Sequence, residues 1–371
     1  ITLLFLNSIA KYQIPTFPGQ TLNTTIRGLL PGGFTPVPSE RLDENQKENN
    51  QYGHLVWRRD INTRNFFSLA GYFRHTRATF RTDPLNVLAY VPDVEEPFSA
   101  GSQDRTGYSG GVRMDYTYVY SKEHLIKAGF QIDRTQAINK TRLSTFNLLD
   151  PLDPESAPIA PVINTGGDNR LIGWRQEFWL QDQWTPNEHW TVNIGVRADT
   201  VQYQRDEGQI SPRVGVTYRY NSANAFHAFY GRMFTPPNLE RLALAGLNTE
   251  GTKAHPEDTT NNLPRAERAH YFQIGSVHAL TDWATLQLTG YYKLANYLSD
   301  AHQLGTTPLL NYFAFERGWT RGADAALKVW FMENLTGRAS IAWGQCKGYG
   351  LQSGHNLVHF EVIADINSRS G

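Results

Sequence analysis

The sequence predicts an all-β chain folded as an antiparallel up-and-down transmembrane β-barrel. Three observations carry that prediction. Apolar and polar residues alternate with a period of two through about thirteen segments. The connections between these segments alternate between short and long. Aromatic residues crowd the short connections.

The segments follow in chain order. Ile1 to Ala10, ITLLFLNSIA, is apolar like a signal-peptide core. It has no basic leader and runs straight into KYQIP, so a strand in a chain cut at its front end is expected. The closing ADINSRSG shows no terminating pattern, and the sequence reads as a fragment. Tyr52 to Arg59 mixes its faces, as does Tyr271 to Leu280. Elsewhere the alternation is clean. Ile126, Ala128, Phe130 and Ile132 oppose Lys127, Gln131 and Asp133. Ile172, Trp174, Phe178, Leu180 and Trp184 oppose Arg175, Glu177, Gln181 and Gln183. After the turn TPNEH, Trp190, Val192, Ile194, Val196 and Ala198 oppose Thr191, Asn193, Arg197 and Asp199. Val214, Val216, Tyr218 and Tyr220 then oppose Arg213, Thr217 and Arg219, and similar strands follow at 286–294 and 335–343. Many segments approach the roughly 9–11 residues that cross a bilayer as a tilted strand.

Short turns fall at 61–65, 120–124, 185–189, 221–224, 279–283 and 331–335. Long connections are expected at 15–50, 83–103, 146–169, 235–265 and 300–308, with a short exception at 205–208. Short–long alternation puts nearly all the short turns at one end of the sheet, the asymmetry of an outer-membrane barrel. A soluble sandwich has no reason to segregate loop lengths. Periodicity alone does not separate the two, but side-chain placement does. Trp184, Trp190, Tyr218, Tyr220, Trp283 and Phe331 lie by the short turns, as aromatics at a lipid–water boundary would. The apolar faces of the clean strands carry almost no Lys or Arg, which would cost ~2–4 kcal/mol at the bilayer midplane. A closed barrel also satisfies backbone hydrogen bonds within lipid.

Composition excludes other classes. Thirty-five basic and 35 acidic residues balance among 371, which gives no electrostatic reason for a nucleic-acid partner. No stretch approaches the ~18 apolar residues of a spanning helix. Cys346 is the sole cysteine, so no intramolecular disulfide framework exists, and no His or Asn motif surrounds it. GYSGG at 107–111 matches a nucleophile-elbow pattern around Ser109, but a strand follows where a helix is needed. His255 in HPED and His302 fall in expected outer loops, where histidines and acids are ordinarily solvated. No zinc, redox or phosphate-loop motif is present. No catalytic residue, metal or cofactor is therefore expected. Gly231 to Gly246, GRMFTPPNLERLALAG, is more informative. Pro236 and Pro237 end a strand, and Asn238 can cap a short helix carrying Leu239, Leu242 and Leu244. That helix either packs on the rim or touches ligand.

Four runs, QEFWLQDQWTP, ISPRVGVTYRY, YGRMFTPPNLERL and ERAHYFQIG, resemble in order and spacing the barrel of TonB-dependent outer-membrane receptors. The resemblance covers most of the chain and is strongest from about 170 to 345. It implies a barrel of about 22 strands with a plugged lumen, of which residues 1–371 supply one partial barrel domain. The family's plug, its TonB-contacting segment and the remaining strands have no counterpart in the sequence. It further implies location in the bacterial outer membrane. Energised uptake of a scarce bulky nutrient follows, such as an iron chelate, cobalamin or a glycan. The implied partners are outer-membrane lipid, a small-molecule ligand and, through the missing N-terminal region, the TonB complex. Arg232 and Arg241, with His255 and His302, are the loop candidates for ligand contact. A passive porin is the alternative, and a secreted β-rich enzyme or binding module the third.

Overall fold

Every strand pairs with its sequence neighbours, and all the pairs are antiparallel. The computed structural model describes residues 1–90, 99–150, 157–203, 205–242, 265–303, 310–332 and 335–352. They form one 13-stranded sheet in the order of the chain. β1 (Thr2–Gln13) is followed by a short helix α1 (Thr24–Leu29), then β2 (Asn45–Asn62) and β3 (Asn65–Arg81). A second short helix, α2 (Pro84–Leu88), precedes β4 (Ser99–Val119), β5 (His124–Leu148) and β6 (Pro158–Trp184). β7 (Trp190–Gln202), β8 (Asp206–Arg219) and β9 (Asn224–Thr235) lead into α3 (Leu239–Leu242). β10 (Glu267–Thr281), β11 (Ala284–Gln303), β12 (Leu310–Met332) and β13 (Leu335–Gln352) complete the sheet.

The short turns lie where the sequence predicts them, and a side chain closes each of five. Asn62 Oδ1 accepts from the backbone N–H of Arg64 at 2.9 Å, and Asn187 Oδ1 from those of His189 and Trp190 at 3.0 and 3.1 Å. Asn221 does the same for Ala223 at 2.9 Å, Ser121 for Glu123 at 3.1 Å and Thr281 for Trp283 at 3.3 Å. These Asx and Ser/Thr turns satisfy backbone donors that the ladder leaves over.

The opposite end departs from the expectation. Strands run well beyond bilayer thickness, to 27 residues in β6. The connection expected at 146–169 is largely ladder, since β5 and β6 pair as far as Leu148 and Pro158. β11 likewise pairs with β12 through Gln303, four residues into the loop expected at 300–308. The stretch of β6 added within 146–169 includes the polar Asn164, Thr165, Asp168 and Asn169. Such residues break the apolar alternation but hold a ladder above the membrane as well as within it. A small apolar core gathers Ile26, Leu30, Leu88, Ala89, Ala100 and Phe146. It packs α1 and α2 onto the far ends of β4 and β5.

The two faces separate as predicted. Phe178 is 57% exposed, Ile194 56%, Ile274 69% and Ile341 73%. The alternate residues Glu177 and Asp199 are buried on the other face. That second face is concave: α3 touches β4, β5 and β6 and also β12, and a flat sheet could not bring those strands to one helix. The oily side chains therefore point outward. Ser109 sits mid-strand in β4 with its Oγ 3.0 Å from Thr135 Oγ1, far from the strand–helix junction of a nucleophile elbow.

Candidate functional site on the inner wall

The concave face of β3 to β7 concentrates charge. Its residues come from the polar half of each period-two strand, and the register stacks them. Arg175 and Arg197 both bind Glu177, the latter at 2.6 Å, and Arg197 Nε reaches Asp199 at 2.8 Å. Both acids are nearly sealed from solvent, with side-chain exposures of 6% and 2%. Buried carboxylates persist when paired and hydrogen-bonded in this way. Beside them Arg113 grips Asp115 through two bonds at 2.8 and 2.9 Å and lies 4.7 Å over the Trp179 ring. Trp179 itself lies across Gly129, where a Cβ would fall 2.4 Å from its ring. Gln131 donates to Asp133 at 3.1 Å. Tyr52, His54, Tyr72 and Tyr203 complete a recess of about 460 Å³ lined also by Arg74, Arg113 and Arg175.

The connection after β9 folds into this recess. Asn238 Oδ1 accepts from the Glu240 N–H at 2.9 Å and starts the turn of α3, as the sequence predicts. Leu239 and Leu242 are buried against Ala137, with Leu171 and Tyr203 around them. Glu240 then accepts from Arg74 at 3.0 Å and from Thr76 at 3.4 Å. Gly107 leaves the space it needs, since a Cβ there would stand 2.3 Å from Glu240 Oε1. The segment spans the concave side rather than resting on the rim.

Of the arginine and histidine candidates, Arg232 lies away from this recess. Arg232 lies in β9, exposed, on the outward face it shares with Phe226 and Tyr230, and pairs with His270 across the ladder. Position 241 lies in α3, and position 302 lies in β11 opposite Asn311 rather than in a loop. His255 and Leu244 lie outside the described residues. The six aromatic candidates flank the short turns. Trp184, Trp190, Tyr220, Trp283 and Phe331 are exposed, and Trp190 and Tyr218 stand 4.5 Å apart ring to ring. Glu240 and Arg74 went unseen as partners because only the placement of α3 on the wall brings them together, and Arg113 and Trp179 because only register does. The described residues hold no cluster of His, Cys, Asp and Glu able to ligate a metal.

Comparison with known proteins agrees with this architecture. The family model described as TonB dependent receptor-like, beta-barrel, matches residues 5–364. No curated protein matches the sequence. Among solved structures, the ferric yersiniabactin uptake receptor FyuA from Yersinia pestis superposes with a TM-score of 0.60 at 9% identity. It covers 96% of this chain and 50% of its own. The copper transporter OprC gives 0.57 at 13% identity, covering 83% and 48%. The unliganded ferric citrate transporter FecA gives 0.54 at 13%, covering 85% and 45%. The chain thus spans about half the length of these structures. With its outward apolar face, charged concave wall and one-ended short turns, the chain belongs to the TonB-dependent receptor family, whose β-barrels sit in the bacterial outer membrane.

Proposed function

We propose that this chain is part of the barrel of an energy-coupled importer that takes up a scarce, bulky nutrient. The observation that carries the reading is the concave wall. Its charges are paired and partly sealed, and a chain segment, α3, crosses it. A passive pore gains from a wide, wet, unobstructed bore, whereas a receptor needs a shaped and polar interior. Metal and metal-chelate transporters among the structural neighbours support a metal chelate as the cargo class. Coupling would come from the TonB complex acting through a region N-terminal to this barrel. Cargo release would follow if that pull favours a state binding the cargo less tightly. The aromatics at the short turns, Trp184, Trp190, Tyr218, Tyr220, Trp283 and Phe331, would anchor that rim at the lipid boundary.

The test restores the full-length gene in a receptor-deficient strain and measures uptake of radiolabelled ferric chelates, with and without an uncoupler. Uptake that collapses with the proton gradient supports the importer. Uptake indifferent to it supports the porin.

A further inference from the structure

The outward face is apolar where it meets hydrocarbon, but at the far end of β1 to β3 it turns basic. Lys11 stands directly opposite Lys47 in the ladder, and Lys47 opposite Thr79. Arg77 and Arg81 flank Thr79 on the same face. Together with Asn45 and Asn49 these residues line one shallow hollow. Like charges placed directly across a ladder repel and destabilise the pair, so the arrangement gains from an anion between them. Asp104 is taken by Arg77, at 3.0 and 2.6 Å, and Asp43 accepts from Asn45 at 3.2 Å. Glu48 points to the opposite face and is held by Tyr12 and Gln46. Among the described residues Lys11, Lys47 and Arg81 have no ion-pair partner and all three are exposed.

Height identifies the anion. Between Phe67 and Arg77 the strand climbs about 33 Å at ~3.3 Å per residue, or about 25 Å along the membrane normal at a ~40° tilt. That is roughly the height of the outward apolar band. The hollow therefore opens at the headgroup level of the outer leaflet. Below it on the same face the apolar Phe73, Leu55 and Leu69 are exposed. An occupant with phosphates above and acyl chains below matches both halves. We propose that Lys11, Lys47 and Arg81, with Arg77, form a binding site on the outer wall for the phosphates of an outer-leaflet lipid headgroup.

The full-length receptor, purified in detergent, would be mixed with bisphosphorylated lipid A or with its fully dephosphorylated form. Native mass spectrometry then reads the bound lipid. The triple variant K11Q/K47Q/R81Q is compared with wild type and with R219Q, a charge removed at the opposite end of the barrel. A heat-dependent shift in gel mobility checks that each barrel is folded. Wild type and R219Q should retain the bisphosphorylated lipid, and the triple variant should lose retention by roughly tenfold or more. Retention in wild type should survive millimolar inorganic phosphate, which separates a lipid site from a free-phosphate site. Equal retention of the dephosphorylated lipid, equal retention by the triple variant, or displacement by inorganic phosphate would each overturn the proposal. None of these outcomes depends on whether the receptor imports its cargo by energy coupling.

Discussion

Nδ1 of His124 lies 2.7 Å from a carboxylate oxygen of Asp182, and the imidazole stacks on Trp184 with ring centroids 6.1 Å apart. Asp182 belongs to the outward face of β6, the face of Phe178 and Leu180. An acid facing lipid is costly, and two circumstances reduce the cost here. It lies close to the short turn, where the interface begins, and the imidazole stands in for water. Position along the strand should therefore govern the effect of charge. Phe178→Arg should destabilise the barrel by ~2–4 kcal/mol, and Asp182→Asn by less than about 1 kcal/mol. Denaturant titration of the full-length barrel folded into lipid vesicles measures both.

The turn side chains invite a second measurement. Asn187→Ala leaves the N–H groups of His189 and Trp190 without their acceptor. The loss should be about 0.5–1.5 kcal/mol, since solvent can partly replace the bond. Asn187→Asp, which keeps an acceptor in place, should recover most of it in the same titration.

Glu177 serves two arginines. Replacing it with Gln leaves Arg175 and Arg197 short of a counter-charge. Their side chains remain 34% and 30% exposed, so water moderates the penalty. A loss of about 1–3 kcal/mol is expected, below that of a fully buried pair. Adding Arg175→Met should be less than additive, because the two residues share one contact network.

The latch between Arg74 and Glu240 can be opened from either side. Gly107→Ala puts a methyl group 2.3 Å from Glu240 Oε1 and should expel that side chain. Glu240→Gln weakens the bond without filling space. Both should speed hydrogen exchange at the α3 amides, Gly107→Ala more, while the β5–β6 ladder stays protected. Unchanged exchange in both variants would mean that Leu239 and Leu242 alone hold α3.

Burial pushes the Glu44 carboxyl above its ordinary 4.5, with Asp83 adding to the rise and the Thr82 hydroxyl opposing it. A raised acid binds its proton more tightly in the folded loop than in the open one. Its contribution is complete below pH 4.5 and is lost as pH climbs through the folded value. Protection factors at residues 82–90, corrected for the intrinsic pH dependence of amide exchange, should thus rise on acidification across that window. Glu44→Gln should flatten the dependence.

Period-two alternation made the strands legible. The residues the alternation assigns in Ile172 to Trp184 and Trp190 to Ala198 lie on their expected faces because lipid and lumen impose opposite demands, and Gln176, Asp182 and Trp179 are the exceptions. Loops were legible only where turn chemistry marks them, as at Asn187 and Asn221. The extension of β6 escaped notice because Asn164, Thr165, Asp168 and Asn169 carry no apolar rhythm above the bilayer. Asn238 announced α3, since capping is local. The pairing of Glu240 with Arg74 did not announce itself, because it depends on which strands the curvature brings within reach. The inner-wall charges were visible one by one, but their convergence on Glu177 follows from register.

Strand order that copies chain order has a kinetic side. Each ladder joins segments separated by one connection, and at one end that connection is a few residues closed by its own side chain. Loop-closure entropy is small for such hairpins, and it grows only slowly for the longer links. The wall can therefore zip from any hairpin outward without waiting for a distant partner. Cutting the backbone in a long connection leaves both flanking ladders intact, so two co-expressed halves of this barrel should reunite along a single seam.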